Sequence, residues 1–309
     1  SESTLLGGQT RTAAGNTYAH VNDGQTSYIA FQKGGVIKVE NLNGVQTYST
    51  LFTQADWAAA SGGASNLTVF NGFGISGNYL IWTDSSSDAV WKADTTTGVI
   101  SSVASKSDIQ SFLGGTAPAS LASFTVAPNG GITYYESSTK SMLNCDMSGT
   151  LTTVLPSGFN ANSITTGLTY DSAGRLYWGD NTADTLYRAT SGGMIETVLS
   201  NTVVFGLTGQ TNATFGDIFY GENGWVYFYE SVDNSILQFN MNDPVNTLGF
   251  LVENSGRAVT FGLYNDGVSD YLTYHNYTGD LLAMTIIPEP ATMTLMVLGG
   301  MGLIRFRKR

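Results

Sequence analysis

Five polar residues recur at one place in a repeated pattern: Asp84, Glu136, Asp180, Glu230 and Asn276, each two positions after an aromatic side chain. Four carboxylates and an amide carry the oxygen chemistry of a calcium site or of a general acid and base. A reacting centre is usually asymmetric, however, while a hydrogen bond that maintains a fold returns with every repeat. The recurrence assigns these five a structural role. Acids four apart, Asp84 with Asp88 and Asp180 with Asp184, leave a calcium ion as an open alternative. Neither pair follows a calcium-loop spacing, so turn capping is the expectation.

The other candidates are few. His20 and His275 are the only side chains with an ordinary pKa near neutrality, and His275 lies inside a strand pattern between Tyr274 and Asn276. Both read as packed or solvated rather than catalytic. Cys145, the sole cysteine, aligns with Ala93, Ala189 and Val39 in an apolar column and reads as a buried, unreactive thiol. A single cysteine excludes an internal disulfide framework and a cysteine-rich zinc site. The sequence has no Gly-x-Ser-x-Gly elbow, phosphate-cradling glycine loop or His-Glu-x-x-His stretch. No catalytic residue is assigned, and the metal content is left open.

The elements that hold these residues emerge from the repeat. Aromatic anchors at positions 31, 82, 134, 178, 228 and 274 mark units of about fifty residues. Five align without a gap, and the first fits if three residues are deleted before Val36. Six positions past the acidic column stand Val90, Met142, Leu186, Ile236 and Leu282, with Val36 in the shortened unit. Two positions further come Lys92, Asn144, Arg188, Gln238 and Lys38, with Met284 the exception. Residues two apart share one side of an alternating β-strand, and the polar column reads as the solvated or edge side of the strand's exposed half. Turn residues such as Ser-Ser-Ser-Asp and Asn-Thr-Ala-Asp separate the two strands of a hairpin.

Further short strands are expected at Val99–Ala104, Leu151–Leu155 and Ile195–Leu199, and another precedes each aromatic strand. Four strands per unit and six units predict an all-β, six-bladed β-propeller over residues 1–286. The last unit runs out at Ile286 after three strands, and Ser3-Thr4-Leu5-Leu6 resembles the fourth strands elsewhere. The N-terminal strand is therefore predicted to complete the sixth blade and close the ring. The connections Thr53–Asn66, Ala104–Ser120 and Thr202–Gly216 read as the most variable loops, and nothing in them names a ligand.

The aromatic-x-acid strand followed by an apolar-x-basic strand resembles the YWTD repeat of lipoprotein-receptor propellers and its NHL and strictosidine-synthase-like relatives. Leu80-Ile81-Trp82-Thr83-Asp84 and Leu176-Tyr177-Trp178-Gly179-Asp180 carry that resemblance. It implies a repeat acid that ties neighbouring blades together.

Charged residues are 12% of the chain, with 37 Gly, 16 Tyr and 15 Phe, a composition of short strands and turns. The formal charge is −11; residues 287–309 contribute +3, which leaves the body at −14. So acidic a surface repels phosphate backbones and anionic lipid, and a nucleic-acid partner is excluded.

Residues 287–309 differ in kind. Pro288-Glu289-Pro290 is followed by an uncharged run, Ala291–Ile304, and then by Arg305, Arg307, Lys308 and Arg309. The prolines hold the chain extended. The apolar run, about 21 Å long as a short C-terminal helix, is shorter than the ~30 Å hydrocarbon core. The cations favour a cytoplasmic end, which places the body on the far side of the membrane. This tripartite tail resembles the PEP-CTERM sorting domain, carried by exported proteins of Gram-negative bacteria that make exopolysaccharide. The resemblance implies an exosortase and the inner membrane as partners, and Pro288, Glu289 and Pro290 as the sorting motif. A signal peptide removed before Ser1 is the corresponding expectation. The body then reads as a cell-surface or secreted binding or structural module of the extracellular matrix, with exopolysaccharide or surface proteins as further partners. The alternative is a metal-dependent hydrolase of the lactonase or strictosidine-synthase-like type.

Overall fold

The structure, a computed structural model, describes Ser3, Thr4 and residues 17–31, 35–42, 45–64, 67, 73–118, 121–155, 167–190, 192–221, 224–253, 255, 258–265, 270–276 and 281–285. The apolar helix expected in the tail, the sorting motif Pro288, Glu289 and Pro290, and the cations Arg305, Arg307, Lys308 and Arg309 lie outside these residues.

The strands form six antiparallel four-stranded sheets, the blades of a β-propeller. Leading strand β1 (Ser3–Thr4) is set aside for the closing blade. Blade one holds β2 (Thr17–Asp23), β3 (Thr26–Phe31), β4 (Val36–Leu42) and β5 (Val45–Phe52). After α1 (Gln54–Ser61), blade two holds β6 (Gly74–Ser76), β7 (Tyr79–Asp84), β8 (Ala89–Asp94) and β9 (Ile100–Ala104). After α2 (Lys106–Phe112), blade three holds β10 (Leu121–Val126), β11 (Ile132–Glu136), β12 (Ser141–Cys145) and β13 (Leu151–Leu155). Blade four holds β14 (Leu168–Tyr170), β15 (Leu176–Asp180), β16 (Thr185–Ala189) and β17 (Ile195–Leu199). After α3 (Asn201–Thr208), blade five holds β18 (Phe215–Tyr220), β19 (Trp225–Glu230) and β20 (Ser235–Asn240), then α4 (Pro244–Thr247) and β21 (Gly249–Val252). Blade six holds β22 (Ala258–Asn265), β23 (Asp270–Asn276) and β24 (Leu281–Thr285).

Closure follows the predicted route. β1 pairs antiparallel with β24, Ser3 opposite Ala283 and Thr4 opposite Leu282, so the two ends of the chain share the sixth blade. The outer strands β13 and β17 have the predicted bounds, and β9 begins one residue later than expected.

Four features differ from the sequence reading. In the first blade Ile29, not Phe31, occupies the aromatic column. Thr17 pairs with Phe31 as Leu121 pairs with Glu136, which places Phe31 in the acid column. The hairpin is therefore one residue short rather than three. In the last blade His275 pairs with Leu281, so Leu281 replaces Leu282 in the apolar column. The polar column is also drier than a solvated face: Asn144 is buried, and Lys38, Lys92, Arg188 and Gln238 are half-buried. Lys92 Nζ donates to the Met147 carbonyl of the next blade at 3.2 Å, and Arg188 pairs with Glu196 on the adjacent strand at 2.6 Å.

The fourth difference lies in the connections, three of which contain helices. Thr53 and Asp56 form a reciprocal cap on α1, and Ser105 with Asp108 repeats it on α2. Helix α1 drives Trp57 into the core between blades one and two, where it lies 6.0 Å from Trp82 and 5.0 Å from Trp91, ring centre to ring centre. Truncating so large a buried ring to alanine is expected to cost about 3–5 kcal/mol.

Candidate functional site

The inner strands line a central channel of about 690 Å³ contributed by all six blades. Its wall mixes apolar residues such as Val21, Phe73, Phe124, Leu168, Ile218 and Phe261 with polar groups that include Asn22, Asp23, Asp217 and Asp270. Among the described lining residues no lysine, arginine or histidine appears, so the channel presents acid and apolar surface.

Asp217 is the feature that the sequence reading missed. Strand β18 bulges between Phe215 and Ile218, which places Asp217 out of the ordinary alternation. Its Oδ2 accepts the backbone N–H of Phe261 in blade six at 2.8 Å, and its Oδ1 accepts that of Ile218 at 3.1 Å. Asp217 is half-buried, packed among the channel-wall strands and open on one side to the space within the ring. Burial pushes its carboxyl up to about 7, against the opposing pull of the two backbone donors. The available signal was an acid within Phe215-Gly216-Asp217-Ile218, an otherwise apolar inner strand.

The repeat acids sit elsewhere, at the ends of the second strands. Asp84 Oδ2 accepts from the Ser86 hydroxyl at 2.6 Å and from the N–H and hydroxyl of Ser87 at 2.8 and 2.7 Å. Glu136 accepts from the N–H and hydroxyl groups of both Ser138 and Thr139. Asp180 accepts from the N–H groups of Thr182 and Ala183. Glu230 accepts from Val232 and Asp233, and also from the N–H of Thr214 ahead of its own inner strand. All four carboxylates are buried, at no more than 1% exposure. Burial pushes the Glu136 carboxyl up, but the donors from Thr139 and Ser138 more than offset it and hold the group below its ordinary range. Asn276 ends β23 in the same column; its side chain lies outside the described set.

The turns that these acids clamp contain a left-handed residue at an equivalent place: Asp88, Lys140, Asp184 and Asn234, with φ between 49° and 56°. Asp88 and Asp184 thus complete the turns rather than converge on Asp84 and Asp180. Asp88 Oδ2 instead meets Lys106 Nζ at 2.8 Å, and Asp184 Oδ1 accepts the N–H of Ala213. Among the described residues no group of three or more His, Cys, Asp or Glu is arranged to hold a metal ion.

His20 lies on the inner strand of blade one, 1% exposed. Its Nδ1 is 3.1 Å from the Thr260 hydroxyl and its Nε2 is 2.8 Å from that of Thr273, so it bridges the first and last blades. The side chain of His275 is outside the described set. Cys145 is buried with its thiol pushed up to about 12 by burial, which removes thiolate chemistry near neutrality.

Six four-stranded blades around a channel define this chain as a β-propeller. Residues 287–309 match the PEP-CTERM protein-sorting motif. The chain thus carries an export signal of the exosortase type, with membrane anchoring followed by surface localisation. Among curated protein sequences none matches this one. Similar solved structures share the fold at low identity. A chain of the nidogen/laminin complex is 13% identical over 82% of this chain and 87% of that one, with a TM-score of 0.58. The virginiamycin B lyase of Staphylococcus aureus is 16% identical over 94% and 89%, with a TM-score of 0.56. Regucalcin of Agrobacterium tumefaciens, a calcium-binding protein, is 12% identical over 87% and 89%, with a TM-score of 0.58.

Proposed function

We propose that this propeller is a binding or structural module of the extracellular matrix, delivered by its tail as an exosortase substrate and then retained at the surface or released. The observation that carries this reading is the junction itself. The ring closes with Thr285, and the sorting motif begins at residue 287. What is delivered is thus a finished propeller rather than an unstructured stalk. The repeat acids support the reading, because each accepts hydrogen bonds from its own turn. The expected partners are exopolysaccharide or surface proteins, and the acidic body argues against nucleic acid. Co-sedimentation of the tail-free protein with the producer's own polysaccharide tests the proposal. Binding that survives moderate salt supports it; no binding to polysaccharide or to washed cell envelopes overturns it.

A second reading, a metal-dependent hydrolase of the lactonase or strictosidine-synthase-like type, is favoured by one observation: Asp217 places a carboxyl titrating near neutrality inside the channel. Such an enzyme would draw its metal ligands from several blades, calcium being one candidate. A stoichiometric divalent ion in the purified protein, lost on Asp217→Asn, would move the assignment to this class.

A further inference from the structure

We propose that the sorting tail holds the propeller over the membrane in one orientation, with the face that carries the channel rim at Asp23 and Asp270 turned toward the bilayer. The inference rests on the strand order and the sorting motif, and goes beyond the matrix reading.

In each blade the chain runs antiparallel through four strands, so the first-to-second and third-to-fourth turns share one face. The second-to-third turns and the connections between blades share the other. Strand β24 is the third strand of its blade and ends at Thr285 on the first of these faces. Only Ile286 separates it from the motif at residue 287. The tail therefore leaves from the face that also bears Gly24, Thr96, Asn129 and Asn242 in its turns. Helices α1, α2 and α3 lie on the opposite face, because each joins a fourth strand to the next first strand.

Reach makes the orientation hard to reverse. From Thr285 to Ala291, where the uncharged run begins, six residues span about 20 Å at full extension. A strand of five or six residues is itself about 16–20 Å tall. To bring the helical face down, the chain would have to travel the blade's height and round its outer strand before descending. Adhesion is not the cause: Asp23, Asp94, Asp146 and Asp270 on the near face repel anionic headgroups. The tether sets the orientation.

The cavity gives this a consequence. It extends from Asp217 to the rim at Asp23, Gly24 and Asp270, on the near face. Before cleavage that rim looks at the bilayer; after cleavage it is open to solution. The face of α1–α3 is presented outward in both states.

Single cysteines test the orientation in the full chain, since Cys145 is buried and does not compete for label. A donor dye is placed on Thr96→Cys at the near face or Ser111→Cys at the helical face, both exposed positions, in vesicles containing a headgroup acceptor. The expected result is energy transfer at least about twofold stronger from Thr96→Cys, lost from both sites when the chain stops at Ile286. Equal transfer, or stronger transfer from Ser111→Cys, overturns the proposal. Asn242→Cys and Thr211→Cys form a second near and far pair, also exposed, should either first variant melt differently from the parent.

Discussion

Asp217 in the fifth blade accepts the backbone N–H of Phe261 in the sixth at 2.8 Å, and in doing so joins the channel wall to the blade that closes the ring. Other blade boundaries use different groups: the Thr83 hydroxyl donates to the Leu121 carbonyl, and the Tyr220 N–H donates to the Thr169 hydroxyl. Asp217 is the one of these ties that titrates near neutrality.

A pH dependence follows. The folded Asp217 carboxyl titrates near 7, above its unfolded value of about 4, so folding favours the protonated form. Its contribution to stability is complete below about pH 4 and is lost as pH rises through 7. The loss is on the order of 1–3 kcal/mol after allowance for water in the channel. The melting temperature should fall between pH 5 and 8, and Asp217→Asn should flatten that fall. A variant that keeps the parent's slope would remove Asp217 from the account.

Glu136 predicts the opposite sense at low pH. Glu136 is held below its ordinary range, so its contribution is present above about pH 4 and lost as pH falls through its folded value. Glu136→Ala leaves the Ser138 and Thr139 donors without their acceptor and should cost about 2–4 kcal/mol in urea unfolding. If these acids instead serve a site, the variant should melt like the parent and lose a ligand.

Gly179 predicts a packing effect. A Cβ built there would lie 2.3 Å from Phe215 Cβ in the next blade, so the ring fills the space that Thr83 occupies in blade two. Gly179→Ala should destabilise by about 1–3 kcal/mol. Combined with Phe215→Gly, which removes the opposing Cβ as well as the ring, the double variant should cost less than the sum of the two single variants, because the clash is gone. Strict additivity in a double-mutant cycle would contradict this contact.

What the sequence revealed and what it hid divide along the strands. The second and third strands pair in an unshifted register, which kept the repeat readable, and from it β13, β17 and the closure of Ser3–Thr4 on β24 were legible. Inner strands bulge next to Ser123, Asp217 and Thr260, and a bulge shifts the period that reveals a face. Asp217 was hidden for that reason. Phe31 was misplaced because an aromatic side chain in the acid column outweighed Ile29 two residues earlier. The helices carried a readable signal, Thr53 with Asp56 and Ser105 with Asp108, but glutamate or glutamine is the commoner partner in such caps.

Closure by β1 predicts a cost for trimming the N-terminus. Ser3 and Thr4 cover the edge of β24, the strand from which the sorting motif continues. Deleting residues 1–8 should lower the melting temperature by about 3–6 °C and speed hydrogen exchange in β24 more than in β8 or β12. Stopping the chain at Ile286 should leave the melt unchanged, because no described strand extends past Thr285. The two truncations thus separate the closing strand from the address. The first should weaken the fold without freeing it from membranes; the second should free it without weakening the fold. Loss of stability on removing the tail would mean that residues 287–309 pack on the propeller, and an unchanged melt without residues 1–8 would mean that β1 does not hold the ring closed.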